Sequence, residues 1–322
     1  MIPSLEFFID KEANFIYWAQ LLIGPWSWYF EKENSILFSN EIGQISNFEQ
    51  KALDELKNIL QNKNNQYKWL WERYNNFPLV NIQKQKEYSF VKETLTKKFN
   101  IFWDKEIILL DNWKNELDQY DFNKFNDLFK KLSIFLGIKD NKDVVSKIRV
   151  KLFISSNFPS GATRPDFNDL MILNVSRVPI MKINRVVGVI SHEFAHFINN
   201  KSGLIKLLLK SSAFPSEKLD EGYKWEYLIA ETILKSISSS RANTYSGLFL
   251  SFSEQEKRQD ENLSHQNPLK SYSYEFLIRI AANHILQNTI DYLDNNKMID
   301  KNFIELTIKT LLNLIKEREN GK

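Results

Sequence analysis

The sequence contains no cysteine, only four histidines, and few of the residues that end regular elements, with nine glycines and eight prolines in 322 residues. The lack of cysteine excludes disulfide frameworks, thiolate zinc fingers, iron–sulfur clusters and cysteine nucleophiles. Any transition metal must therefore be held by histidine and carboxylate side chains. The shortage of glycine and proline favours a mainly helical protein with few strands.

A large excess of charge of one sign is also absent. Lysine and arginine together number 43 against 40 aspartates and glutamates, which gives a formal net charge of +3. This balance gives no indication of nucleic-acid binding, and we expect none. Hydrophobic residues make up 43% of the chain, which is enough for a core and excludes a disordered protein.

No apolar run is long enough to cross a membrane. The first residues lack a basic segment ahead of an apolar stretch, and Glu6 and Asp10 interrupt the apolar residues there. The longest apolar run, residues 15–30, is broken by Gly24 and Pro25 and falls short of the ~20 residues that a span requires. We therefore expect a cytoplasmic protein without a membrane span, although secretion without a leader would leave no trace in the sequence.

The spacing of apolar residues predicts a helical N-terminal half, then a few strands, then further helices. A period of 3.6 predicts helices over 15–22, 45–60, 90–99, 103–117 and 122–136. Short β-branched and apolar runs predict two strands, 149–154 and 170–175, joined by a long turn. Later helices are predicted over 184–200, 225–238, 274–293 and 301–317, and Gly137 and Gly203 are expected to end the helices before them.

One motif indicates chemistry. His192 and His196 lie four residues apart in an apolar helix, so their imidazoles point the same way, with Glu193 beside them. In zincins, this arrangement binds zinc through both histidines while the glutamate acts on the attacking water. A chain with four histidines would contain the full motif by chance only roughly 0.006 times. Two buried imidazoles and a buried carboxylate also need partners, which a zinc ion supplies.

A catalytic zinc site needs a third protein ligand and keeps its fourth position open for water. A third histidine six residues after His196 is excluded because position 202 is Ser202. His265 and His284 are isolated in the sequence, so neither is a strong candidate. The third ligand is therefore expected to be a carboxylate from a following helix.

Two glutamates compete for that role. Glu221 lies in residues 219–223, which resemble the Asp-Glu-Gly segment that carries the third ligand in the aminopeptidase branch of the gluzincins. Glu231 lies among apolar residues of the helix 225–238, where an unpaired carboxylate would cost several kcal/mol. Burial therefore favours Glu231, and the non-metal explanation for it is a salt bridge with Lys235 one turn later.

Two segments resemble a group of bacterial gluzincin-like proteins known only as a domain of unknown function. In that group the motif helix reads His-Glu-Phe-x-His-x-Phe-Ile-Asn-Pro, and a later helix reads Trp-Glu-x-x-x-x-Glu-Ser-Leu-Val-Arg. The present chain has Phe197 one place early, Asn200 in place of the proline, and Lys235 where an arginine is usual. The similarity covers residues 190–240, and it implies a zincin-like catalytic domain in which Glu231 is the third ligand.

The resulting expectation is a mainly α (α+β) protein. A mainly helical N-terminal region over 1–145 precedes a zincin-like metallopeptidase domain over 146–322, which contains a small sheet and the active-site helix. Zinc held by His192, His196 and Glu231 would activate water, with Glu193 as the general base. The strand 170–175 is expected at the sheet edge, where a peptide could add as a further strand.

Several alternatives stay open at this point. Tyr272, Tyr274 or His265 could supply a second donor to the oxyanion, and the sequence does not choose between them. The substrate of a zinc hydrolase could be a peptide, a protein or a non-peptide amide. A catalytically silent zinc protein whose tryptophan-rich helices bind a partner is the remaining alternative, although a structural site needs no base such as Glu193.

Overall fold

The computed structural model describes residues 3–23, 38–61, 82–138, 147–155, 160–163, 169–177, 183–210, 212, 214–215, 219, 224–238 and 274–320. The strands are β1 (Ser4–Phe8), β2 (Lys147–Ser155), β3 (Ser160–Thr163) and β4 (Leu170–Ser176). The helices of the first half are α1 (Lys11–Leu22), α2 (Asn47–Gln61), α3 (Ile82–Asp118) and α4 (Asn126–Phe135). Those of the second half are α5 (Ile183–Ser202), α6 (Leu204–Lys210), α7 (Trp225–Ser238), α8 (Tyr274–Asp294) and α9 (Lys301–Asn320). The described chain is therefore mainly helical with one small sheet, as predicted.

Three helix predictions for the first half were wrong in their bounds. Residues 90–99 and 103–117 belong to one continuous helix, α3, because no glycine or proline interrupts residues 82–118. The predicted helix 122–136 begins instead with a 3₁₀ turn over Phe122–Phe125, and α4 follows it. Gly137 ends α4 with a φ of 85°, as expected for a glycine at a helix C-terminus.

The four described strands form one sheet in the order β1-β2-β4-β3. β1 and β4 both lie parallel to β2, whereas β3 lies antiparallel to β4. The prediction that residues 170–175 form an edge strand was therefore wrong, because β3 is the outer strand on that side. β4 is buried as an inner strand should be, since its apolar residues Leu170, Met171 and Leu173 are all fully buried.

The sheet connects the two halves of the chain. Ser4 of β1 pairs with Lys147 of β2, so the N-terminal region contributes a strand beside the strands of the second half. The Asn14 side-chain amide of α1 also donates a 3.0 Å hydrogen bond to the Leu152 carbonyl of β2. The predicted boundary at residue 145 lies outside the described residues.

The helix that carries the motif is enclosed by its neighbours. α5 packs against β3, β4 and α7. Phe194 of α5 meets Phe129 of α4 edge to face, with ring centroids 4.0 Å apart. α7 is held in turn by α8, where the Ser236 and Thr289 hydroxyls lie 2.8 Å apart in a buried hydrogen bond. α5 and α7 are thus fixed at close range by packing on several sides.

None of the helices in the described part of the chain is both long enough and apolar enough to pass through a membrane.

Candidate metal centre

The predicted motif lies on α5, with its histidines on the less buried side of that helix. Val186, Ile190 and Phe194 are at most 1% exposed and bind the helix to the core. The side chains of His192 and His196 are 16% and 25% exposed. Helical spacing places both imidazoles on one face, as expected, but that face is partly exposed, whereas the sequence had indicated buried imidazoles.

The two imidazoles converge. His192 Nε2 and His196 Nε2 lie 3.1 Å apart, and the ring planes are nearly perpendicular. One ligand atom from each of His192, Glu193 and His196 can be chosen so that all three lie within 4.8 Å of one another. This group is a candidate metal site.

Glu231 of α7 faces both imidazoles. Its Oε1 lies 3.3 Å from His192 Nε2, and its Oε2 lies 3.3 Å from His196 Nε2. The side chain is only 9% exposed, and Lys235 Nζ is 3.2 Å from Oε1. The salt bridge with Lys235 and the contact with both histidines therefore occur together, rather than as alternatives.

The electrostatic setting favours a charged Glu231 carboxylate and a neutral His196 imidazole. Burial by itself raises the pKa of Glu231, but Lys235 and the two histidines outweigh it and hold that pKa well below its usual value. Burial lowers the pKa of His196, although Glu231 opposes this effect. An ionised carboxylate and a neutral imidazole are the forms in which these groups bind metals.

The donor set and its spacing suit a tetrahedral ion. Ligand atoms held tetrahedrally at about 2.0–2.1 Å from zinc lie about 3.3–3.4 Å from one another. The two Nε2 atoms are 3.1 Å apart, and each lies 3.3 Å from a different oxygen of Glu231. The side chains of His192, His196 and Glu231 are therefore close enough to share one metal ion.

Glu193 also lies within this group of ligand atoms, but it has a hydrogen-bond partner that the other three side chains do not share. Its side chain points toward β3, where the Thr163 hydroxyl donates a 3.2 Å hydrogen bond to Glu193 Oε2. The residue is 6% exposed. Burial raises the pKa of Glu193, and the negative charge of Glu231 raises it further, although His196 opposes both effects. A base whose pKa is raised toward neutrality can both accept and return a proton.

The structure describes only some of the other candidate residues. Glu221, His265 and Tyr272 lie outside the described residues. Tyr274 is the first residue of α8, and its side chain is likewise outside the described part. His284 is exposed on α8 and is not in the described metal group. The sequence did not identify Thr163, because residues 160–163 have no apolar periodicity that would predict a strand.

No protein-family model, no curated protein and no solved structure matches this chain.

Proposed function

We propose that the protein is a zinc-dependent hydrolase of the gluzincin type that cleaves peptide bonds. The observation that carries the proposal is the position of Glu231, whose two oxygens face His192 and His196 at 3.3 Å from a separate helix. A carboxylate 35 residues after the second histidine has no local reason to meet both rings. A shared metal ion accounts for the convergence of all three side chains.

In this proposal each residue has a distinct role. His192, His196 and Glu231 hold zinc, which when bound lowers the pKa of water and polarises a carbonyl group. Glu193 accepts the proton of the attacking water and delivers it to the leaving amine. Burial raises the pKa of Glu193, which supports this role. A carboxyl group with a low pKa would be a poor acceptor of the proton from water.

The sheet edge supports a peptide as substrate. β3 is the outer strand next to α5 in the described sheet, and its Thr163 contacts Glu193 directly. An extended peptide that added to the outer edge of β3 in the described sheet would lie alongside the active-site helix. A hydrolase of non-peptide amides would need no such edge, so the peptide is the preferred substrate class.

A catalytically silent zinc protein with a tryptophan-rich binding surface is the second candidate. The tryptophans within the described residues, Trp18, Trp103, Trp113 and Trp225, are all less than 9% exposed and belong to the core. Trp26, Trp28, Trp69 and Trp71 lie outside the described residues. A zinc protein of that kind would also have no use for a buried carboxylate beside its ligands. These observations favour the hydrolase.

The deciding experiment compares Glu193→Gln with the wild type. The amide keeps the shape of the side chain but removes the base, so we expect retention of zinc and a loss of turnover on the order of 10²–10⁴-fold. Elemental analysis measures the metal, and a library of quenched fluorescent peptides measures hydrolysis. Glu226→Gln is the matched control, because Glu226 is an exposed acid on α7. Unchanged turnover in Glu193→Gln, or a folded wild type that ignores added zinc, would contradict the proposal.

A further inference from the structure

The short outer strand β3 contacts the side chain of the proposed base. The Thr163 hydroxyl lies 3.2 Å from Glu193 Oε2, and Glu193 is 6% exposed. A buried carboxylate must be satisfied by hydrogen bonds or charges, since desolvation of an unpaired charge is strongly unfavourable. Thr163 supplies one such donor from outside the helix that carries the motif.

Gly161 makes room for Glu193 on the same strand. A Cβ atom at residue 161 would lie 2.5 Å from Glu193 Cγ and 2.9 Å from Val189 Cγ1, distances that real Cβ atoms do not adopt. The glycine is therefore required by close approach between β3 and α5. Any side chain at this position would displace the Glu193 side chain from its present position.

The register of the sheet explains why Gly161 and Thr163 both lie next to the Glu193 side chain. Gly161 pairs with Leu173 and Thr163 pairs with Met171, so the two residues are separated by one position and face the same side of the sheet. Leu173 and Met171 are fully buried in β4. The position of Thr163 is consequently set by the pairing of β3 with a buried inner strand.

We propose that Thr163 is a positioning residue that holds the Glu193 carboxylate in the orientation needed for proton transfer. A hydrogen bond to Oε2 fixes the rotation of the planar carboxylate, and hence the direction in which Oε1 points. The inference rests on the proposed role of Glu193 as the base. It assigns a catalytic purpose to β3 that is separate from binding of substrate or metal.

The first test compares Thr163→Val with Thr163→Ser in peptide hydrolysis. Valine matches the shape of threonine and suits a strand, but it lacks the donor, whereas serine keeps the hydroxyl. We expect kcat to fall about tenfold or more in Thr163→Val with KM changed less than about twofold, because misorientation of a catalytic group lowers the rate. Thr163→Ser should restore most of kcat. Zinc content should be equal in all three proteins.

The outcomes of this test separate positioning from simple structural support. A Thr163→Val protein as active as the wild type, or a Thr163→Ser protein as impaired as Thr163→Val, would overturn the inference. Thr96→Val is the control for a threonine-to-valine change elsewhere, since the Thr96 hydroxyl bonds only to the Lys92 carbonyl of its own helix among the contacts described. A loss of kcat in Thr96→Val equal to that in Thr163→Val would also count against a specific role.

A second test does not depend on activity. Urea unfolding of Thr163→Val, Glu193→Ala and the double variant, all without metal, forms a double-mutant cycle. If the two side chains interact, Thr163→Val should lower the urea midpoint in the wild-type background and lower it less in Glu193→Ala. Additive shifts would overturn the inference. A coupled cycle in a protein that hydrolyses nothing would support the contact and reject the proposed hydrolase.

Discussion

Glu231 shows how a single charged residue can be kept inside an apolar helix. Its neighbours Leu228, Ile229 and Ile233 are fully buried, so an isolated carboxylate there would be strongly destabilising. Lys235 on the next turn and the two imidazoles compensate the charge. A bound cation would compensate it further, which makes the stability of the protein a measure of metal binding.

The choice of third ligand predicts a specific effect of zinc on stability. Glu231→Ala removes a proposed ligand and leaves only two histidines, so added zinc should hardly raise the melting temperature of this variant. Glu221→Ala should show the full zinc-induced rise that the wild type shows. Differential scanning calorimetry with and without zinc measures both shifts.

Lys235→Met separates the ligand role of Glu231 from its salt bridge. This variant loses the ion pair but keeps the carboxylate, so its melting temperature without metal should fall while the zinc-induced rise persists. A full zinc-induced rise in the melting temperature of Glu231→Ala would show that Glu231 is not the third ligand. Loss of that rise in Glu221→Ala would identify Glu221 as the third ligand.

Among the secondary-structure elements, α2 shows a local device that fixes where a helix begins. The Ser46 N–H and hydroxyl donate to Glu49 Oε2 at 2.7 and 2.8 Å, and the Glu49 N–H donates back to the Ser46 hydroxyl at 3.3 Å. This is a capping box, and Lys98 of α3 adds an ion pair to Glu49 at 3.2 Å. One carboxylate therefore both starts α2 and joins it to α3.

The capping box predicts a pH-dependent contribution to stability. Burial raises the pKa of Glu49, but the hydrogen bonds from Ser46 and the ion pair with Lys98 together outweigh it, so the pKa is lowered overall. A lowered native pKa stabilises the fold above the unfolded pKa, and this contribution is lost as the pH falls through the native pKa. Urea unfolding of Glu49→Gln should show a lower midpoint than the wild type at pH 7 and no difference at low pH.

A variant of Ser46 distinguishes the effect of the Glu49 charge from the effect of the capping hydrogen bonds. Ser46→Ala removes the capping hydroxyl and should cost about 1 kcal/mol at neutral pH. If Glu49→Gln instead differed equally from the wild type at every pH, the charge of Glu49 would have no role in the cap.

At the scale of the whole molecule, a buried ion pair connects the start of the chain to the sheet. Lys151 of β2 is 1% exposed and its Nζ lies 2.8 Å from Asp10 Oδ2, while Asp10 Oδ1 caps α1 by accepting from the Ala13 N–H. Burial lowers the pKa of Lys151, and Asp10 opposes this effect. The pair helps to set how β1 and α1 dock on the strand that supports β4.

Breaking this pair should destabilise the whole fold. Lys151→Met leaves Asp10 largely buried without its cation, and we expect a loss of about 3 kcal/mol in the free energy of unfolding. Asp10→Asn keeps a capping side chain at α1, so combining it with Lys151→Met removes both charges. The double variant should lose less stability than the two single variants together, as measured by urea unfolding. Additive losses would show that the two charges do not interact.

The sequence by itself determined the elements whose signals are local. The α7 prediction, residues 225–238, matches the observed helix, and α5 differs from its prediction by one residue at the start and two at the end. Gly203 ends α5 with a φ of 62°, as its position after the apolar pattern indicated. The sequence alone could place the two histidines and Glu193 in one site, because helical spacing fixes the relative directions of their side chains.

Only the tertiary structure decided which distant residues meet. β3 has four residues, Ser-Gly-Ala-Thr, and becomes a strand because it pairs with β4, which no local pattern expresses. The contact between Thr163 and Glu193, and that between Glu231 and both histidines, depend on how β3 and α7 pack against α5. Local periodicity specifies which face of an element is apolar, but the partner of that face is selected by packing of the complete chain.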